Sequence, residues 1–184
     1  MPPLAQPLGC AQPVEHALSV SDCTERDGHA AAAADPSLDF VLIHLDVPHD
    51  PAIYDRHSGR IDLTLHRRDW YLDNLALADR ALGELRRSME AAGTWDSTVL
   101  LVSSDHHWRA AAEFGVRPDP RVPFVLRFPG EPGGLSYQGP VQTVVSGALL
   151  LEVLRGRVRS AREAAQWLDS QTQRASEVAG GPGP

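Results

Sequence analysis

Thr98-Val99-Leu100-Leu101-Val102-Ser103-Ser104-Asp105-His106-His107 is the stretch on which the fold is decided. Residues 98–102 are β-branched or leucine throughout, which is the pattern of a buried strand in a parallel sheet. A carboxylate and two imidazoles follow at its C-terminal end, where open α/β sheets place their ligands. Asp oxygen and His nitrogen bind zinc and similar cations, so Asp105 and His106 are candidate metal ligands. The plainer reading is an N-capping Asp with a solvated His beside it.

A second stretch has the same character. Asp39-Phe40-Val41-Leu42-Ile43-His44-Leu45 reads as a strand, and Asp46-Val47-Pro48-His49-Asp50-Pro51 follows it. The C-terminal ends of parallel strands face one crevice. His49 is therefore expected to meet Asp105 and His106 there. The flanking prolines stiffen this loop, because Pro fixes its own φ and restricts the residue before it. An exposed turn is the alternative.

Between the two strands, Leu75, Ala78, Leu82, Leu85 and Met89 recur at three- and four-residue spacing. This predicts an amphipathic helix over 67–92, stopped by Gly93 and crossing between two parallel strands. Asp73 could contact a substrate, but a polar residue in a first helical turn is the simpler reading. A third strand is expected over 123–128, and helices over 141–154 and 161–168. The expected fold class is α/β, a mainly parallel sheet flanked by helices.

The succession of a Pro48-His49-Asp50-Pro51 loop, a long helix, Ser104-Asp105-His106, Arg121-Val122-Pro123-Phe124 and Phe128-Pro129-Gly130 resembles the later part of the catalytic domain of sulfatases and their alkaline-phosphatase-like relatives. In that family a Pro-His-x-Pro loop sets a histidine beside the sulfate or phosphate, and a Ser-Asp-His-Gly loop supplies two metal ligands. The resemblance covers about residues 38–169. It implies a partial alkaline-phosphatase-like sandwich, with His49 as catalytic residue and Asp105 and His106 as ligands to a divalent metal: zinc, manganese or calcium. Imidazole favours zinc or manganese over calcium, which prefers oxygen. The substrate would be a sulfate or phosphate ester. His57 and His66 lie in the region that borders the substrate in such folds, so either could contact it.

The departures are also informative. The family opens its domain with paired metal-binding Asp residues on a strand and a Cys, Ser or Thr nucleophile. Cys10 has no arginine at the required spacing. Cys23 lacks the proline, and its arginine, Arg26, comes one residue early. The chain thus reads as the back half of a domain, whose front half could lie on a separate chain. The isolated chain is expected to be inactive, because a displacement needs a nucleophile. His107 replaces the usual Gly after Asp-His, and Asp46 and His49 are one residue short of the phosphatase relatives' metal-ligand spacing. A non-catalytic remnant, or an interaction module that keeps the fold, are the alternatives.

Composition sets the remaining bounds. The 184 residues are 42% hydrophobic and 22% charged, as in ordinary globular proteins. A net charge of −7 argues against nucleic-acid binding. All 17 basic residues are arginines, so the lysine that many sulfatases hold near the sulfate cannot come from this sequence. Arg155, Arg157, Arg159 and Arg162 read as a solvated face. Residues 1–37 read as a loosely ordered arm, 38–170 as the partial domain and 171–184 as a disordered tail. The N-terminus has no basic start or long apolar region, so no signal peptide is expected. No stretch nears the roughly 20 apolar residues of a membrane span. Two cysteines leave the compartment open.

Overall fold

The computed structural model describes residues 28–63, 69–131 and 133–179. The chain divides into two compact units, Met1–Asp96 and Ser97–Pro184. The class is mixed α and β, with two small antiparallel sheets and four α-helices among the described residues.

The first unit begins its described part with a helical segment, 28–34 (α1). Most of the expected arm and the whole of 64–68, with His66, fall outside the described residues. Residues 39–46 form no strand. Their burial nonetheless alternates with a period of two: Val41, Ile43 and Leu45 are half-buried, while Leu42, His44 and Asp46 are exposed. That is strand patterning without a ladder. A strand becomes regular only when a neighbouring strand takes up its N–H and C=O groups, and 39–46 has no ladder partner among the described residues.

Tyr54–Asp55 (β1) and Arg60–Ile61 (β2) pair antiparallel, with Tyr54 opposite Ile61. The long helix Trp70–Ala92 (α2) follows. Gly93 ends it in the left-handed region at φ 75°, and the Gly93 and Thr94 N–H groups close on the Glu90 and Met89 carbonyls. This terminus is the one the sequence predicted. Of the expected face, Met89 is buried, Ala78, Leu82 and Leu85 are half-buried and Leu75 is exposed, while Leu77, Ala81, Asp73 and Asn74 are buried as well. With 39–46 outside any sheet, α2 is not a crossover between two strands.

In the second unit, Leu100–Ser103 (β3) pairs with Phe124–Arg127 (β4). The pairing is antiparallel, with Leu100 opposite Arg127 and Ser103 opposite Phe124. The expected parallel arrangement of strands 39–45, 98–103 and 123–128 is thus corrected in this unit. A parallel pair needs a crossover that returns along the strands. The connection holds only a six-residue 3₁₀ helix, Arg109–Phe114, and a proline-bearing stretch, so the chain turns back instead.

Ser146–Leu154 (α3) and Ala161–Ala179 (α4) complete the unit. The predicted helix 141–154 begins five residues late, behind a 3₁₀ turn at Thr143–Val145. The helix expected over 161–168 runs on to Ala179. Phe128, Leu149, Val158 and Ala164 form the core, with Val99, Phe124, Leu126 and Trp167 packed around them. Among the described residues, no helix is long and apolar enough to cross a membrane.

Candidate functional site

The turn after β3 draws adjacent side chains together. Fully extended neighbours point to opposite sides, but the backbone bends at Asp105 and His106. The His106 N–H donates to Asp105 Oδ1 at 2.9 Å, and the Ser104 hydroxyl donates to the His106 carbonyl at 2.9 Å. As a result, His106 Nε2 lies 3.8 Å from Asp105 Oδ2. One strand residue earlier, Ser103 Oγ donates to the Pro123 carbonyl at 3.0 Å and ties the start of the turn to the strand β4 approach.

The tautomer of His106 follows from its other nitrogen. Nδ1 lies 2.8 Å from the His107 carbonyl oxygen, which can only accept. Nδ1 therefore carries the proton, and in the neutral ring Nε2 carries the lone pair. A metal-bound histidine is commonly oriented in this way by the nitrogen that does not bind. An ion bonded to both atoms at about 2.1 Å would hold them at most about 4.2 Å apart, and the 3.8 Å observed fits that limit. The donor set, one carboxylate and one imidazole, suits zinc or manganese better than calcium. Asp105 is largely exposed and His106 only partly so.

His49 belongs to the first unit. Its N–H closes a turn on the Asp46 carbonyl at 3.1 Å. Its Nδ1 faces two oxygens of Asp50, the carbonyl at 2.8 Å and Oδ1 at 2.7 Å, so the Nδ1 proton is held there and Nε2 is directed away from Asp50. The ring is exposed. The loop itself hangs on Asn74. Its Nδ2 donates to the His49 carbonyl at 2.6 Å and the Pro51 carbonyl at 2.9 Å, while its Oδ1 accepts the Ile53 N–H at 3.1 Å. Sequence reasoning missed this role. The available signal was an Asp-Asn pair on the apolar side of a helix, where a buried amide must find partners.

A third cluster was also unforeseen as a group. His57, Asp69 and Asp73 each offer a ligand atom, and these atoms lie within 4.8 Å of one another. His57 is in the β1–β2 turn, Asp69 caps α2 and Asp73 sits in its first turn. The first-turn position of Asp73 is the one expected. The Arg56 guanidinium reaches Asp69 Oδ2 at 2.6 Å and Asp73 Oδ1 at 3.4 Å. This set could hold a divalent cation.

Arg121 of the Arg-Val-Pro-Phe stretch is committed locally. Both of its nitrogens on one edge contact Asp119, the shorter contact at 2.6 Å, and both side chains are exposed. Cys10 and Cys23 lie outside the described residues. Comparison of the chain with known protein families, with curated proteins and with solved structures found no match.

Proposed function

We propose that the chain is the later part of a sulfatase-like, alkaline-phosphatase-like hydrolase of sulfuric or phosphoric esters, dependent on a divalent cation held by Asp105 and His106. The observation that carries this reading is the turn after β3, which brings Asp105 Oδ2 and His106 Nε2 to 3.8 Å, with His106 Nδ1 hydrogen-bonded to the His107 carbonyl. A cation there would neutralise charge on the nonbridging oxygens of the ester. His49, whose Nδ1–H is held by Asp50, would act as a proton donor through Nε2. Asn74 supports that role by holding the loop backbone.

In this reading β3 and β4 are one antiparallel pair of a larger, mainly parallel sandwich. Its remaining strands, the paired Asp residues and the nucleophile come from the front half of the domain. The strand-like alternation of 41–46 without a ladder supports an incomplete sheet.

The test is hydrolysis of 4-nitrophenyl sulfate and 4-nitrophenyl phosphate by the chain alone and by the chain coexpressed with the polypeptide encoded immediately upstream. The chain alone should give only the background of the metal salt. Turnover by the coexpressed pair, lost in His49→Ala and in His106→Ala, supports the proposal. Turnover that survives both substitutions contradicts it. No turnover from the pair, with the fold intact, favours the non-catalytic remnant.

A further inference from the structure

The cluster at the start of α2 contains no residue used in the proposed chemistry, yet it has the composition of a metal site. We infer that His57, Asp69 and Asp73 form a second divalent-cation site, distinct in its residues from Asp105 and His106, at which the Arg56 guanidinium competes with the ion for the carboxylates.

Four observations support this. The three ligand atoms come from three separated positions, a hairpin turn, a helix cap and a first turn, and still lie within 4.8 Å of one another. An ion at about 2.1 Å from each would require no more than about 4.2 Å between them. The difference is at most about 0.6 Å, and His57 is exposed. Second, Asp73 is 0% exposed. A buried carboxylate is costly unless a positive group offsets it, and Arg56 is one such group. Third, Arg56 supplies such a partner but fits it unevenly. It bonds Asp69 at 2.6 Å, approaches Asp73 only to 3.4 Å, and leaves its buried Nη1 without an acceptor among the described residues. Fourth, both carboxylates sit at the N-terminus of a 23-residue helix, whose backbone dipole favours ionised carboxylates there.

Chemistry narrows the ligand. Two carboxylates and an imidazole suit manganese or zinc more than calcium or magnesium, which prefer all-oxygen shells. Arg56 and the ion would compete for the same carboxylate oxygens. Binding is therefore an exchange: the guanidinium leaves, and the ion takes Asp69, Asp73 and His57.

The test uses Mn²⁺ binding, followed by the loss of the free-ion electron paramagnetic resonance signal, in the full chain carrying Asp105→Asn and His106→Ala. That background removes the other site, and both positions are at least partly exposed in a separate turn. One Mn²⁺ should still bind. Adding His57→Ala, an exposed change, should weaken it by about tenfold or more, since losing a ligand costs no less than losing a supporting partner. Adding Arg56→Gln should tighten it severalfold. Circular dichroism of each variant checks the fold, and His57→Ala keeps the test decisive if Arg56→Gln unfolds. Absence of Mn²⁺ binding in the Asp105→Asn, His106→Ala background overturns the inference and leaves the first site standing. Binding unchanged by His57→Ala overturns it too, as does weaker binding in a folded Arg56→Gln variant. Equal Mn²⁺ stoichiometry in the wild type and in that background would instead count against Asp105 and His106.

Discussion

Asn74 Nδ2 lies 2.6 Å from the carbonyl oxygen of His49, which is 25 residues earlier in the chain. The same side chain also bonds Pro51 and Ile53, so one buried amide holds the backbone on both sides of the 49–51 loop. These hydrogen bonds from the helix hold the loop in place.

Asn74→Ala should therefore destabilise the first unit by about 1–3 kcal/mol, the cost of leaving buried backbone groups unsatisfied. Urea denaturation measures it. Faster hydrogen exchange at the Ile53 amide should accompany it. A variant as stable as the wild type, with Ile53 still protected, would show that the amide is not what holds the loop.

The second unit rests on Leu149, which is 0% exposed at the centre of the Phe128, Val158 and Ala164 core. Leu149→Ala removes buried methyl groups and leaves a cavity, and should cost about 2–5 kcal/mol. Thermal or urea unfolding of the second unit reads this directly. A loss below about 1 kcal/mol would mean that the site collapses around the smaller residue.

How far the sequence could be read depends on whether the deciding contacts are local. Gly93 as a helix stop and the strand runs at 100–103 and 124–127 are legible, because a left-handed C-cap and a short run of apolar residues express local preferences. The direction of pairing is not. Parallel and antiparallel strands can share an apolar run, and here the connection decides. The strand expected at 39–45 shows the same limit: its residues alternate correctly, but a ladder needs a neighbour that the pattern alone does not supply. At the site, Asp105 and His106 were visible as residue types, while the bend that brings them together depends on the Ser104 and His107 hydrogen bonds. The His57–Asp69–Asp73 grouping was hidden because its members are up to 16 positions apart and meet only once the hairpin folds against α2.

The stretch 39–46 has no ladder partner among the described residues. Leu42 is 81% exposed, and Phe40 beside it is exposed as well. An extended apolar segment with unpaired backbone groups promotes association between chains. Sedimentation velocity should show concentration-dependent oligomers, reduced by Leu42→Arg. A monomer at all concentrations would contradict this.

One carboxyl group gives a clean pH marker. The Arg121 guanidinium and backbone N–H, both bonded to Asp119, bring its pKa down from the usual 3.8 to about 2. A lowered carboxyl pKa favours the folded form above the usual value. That contribution fades as pH falls from about 3.8 through about 2. A carbon-detected titration should place the Asp119 midpoint near the lower figure and return it towards the usual one in Arg121→Gln. A midpoint unmoved by the substitution would show that the pair does not form in solution.

The central claim is that His106 is held ready to bind a cation through Nε2. Long-range proton–nitrogen correlation spectra of the imidazole rings, recorded before and after addition of Zn²⁺, test it most directly. The account predicts that His106 Nδ1 keeps its proton, hydrogen-bonded to the His107 carbonyl, that Nε2 shifts to the range of a metal-bound nitrogen, and that Asp105→Asn suppresses the shift. A His106 ring that ignores Zn²⁺, or one that binds it through Nδ1, would contradict the account.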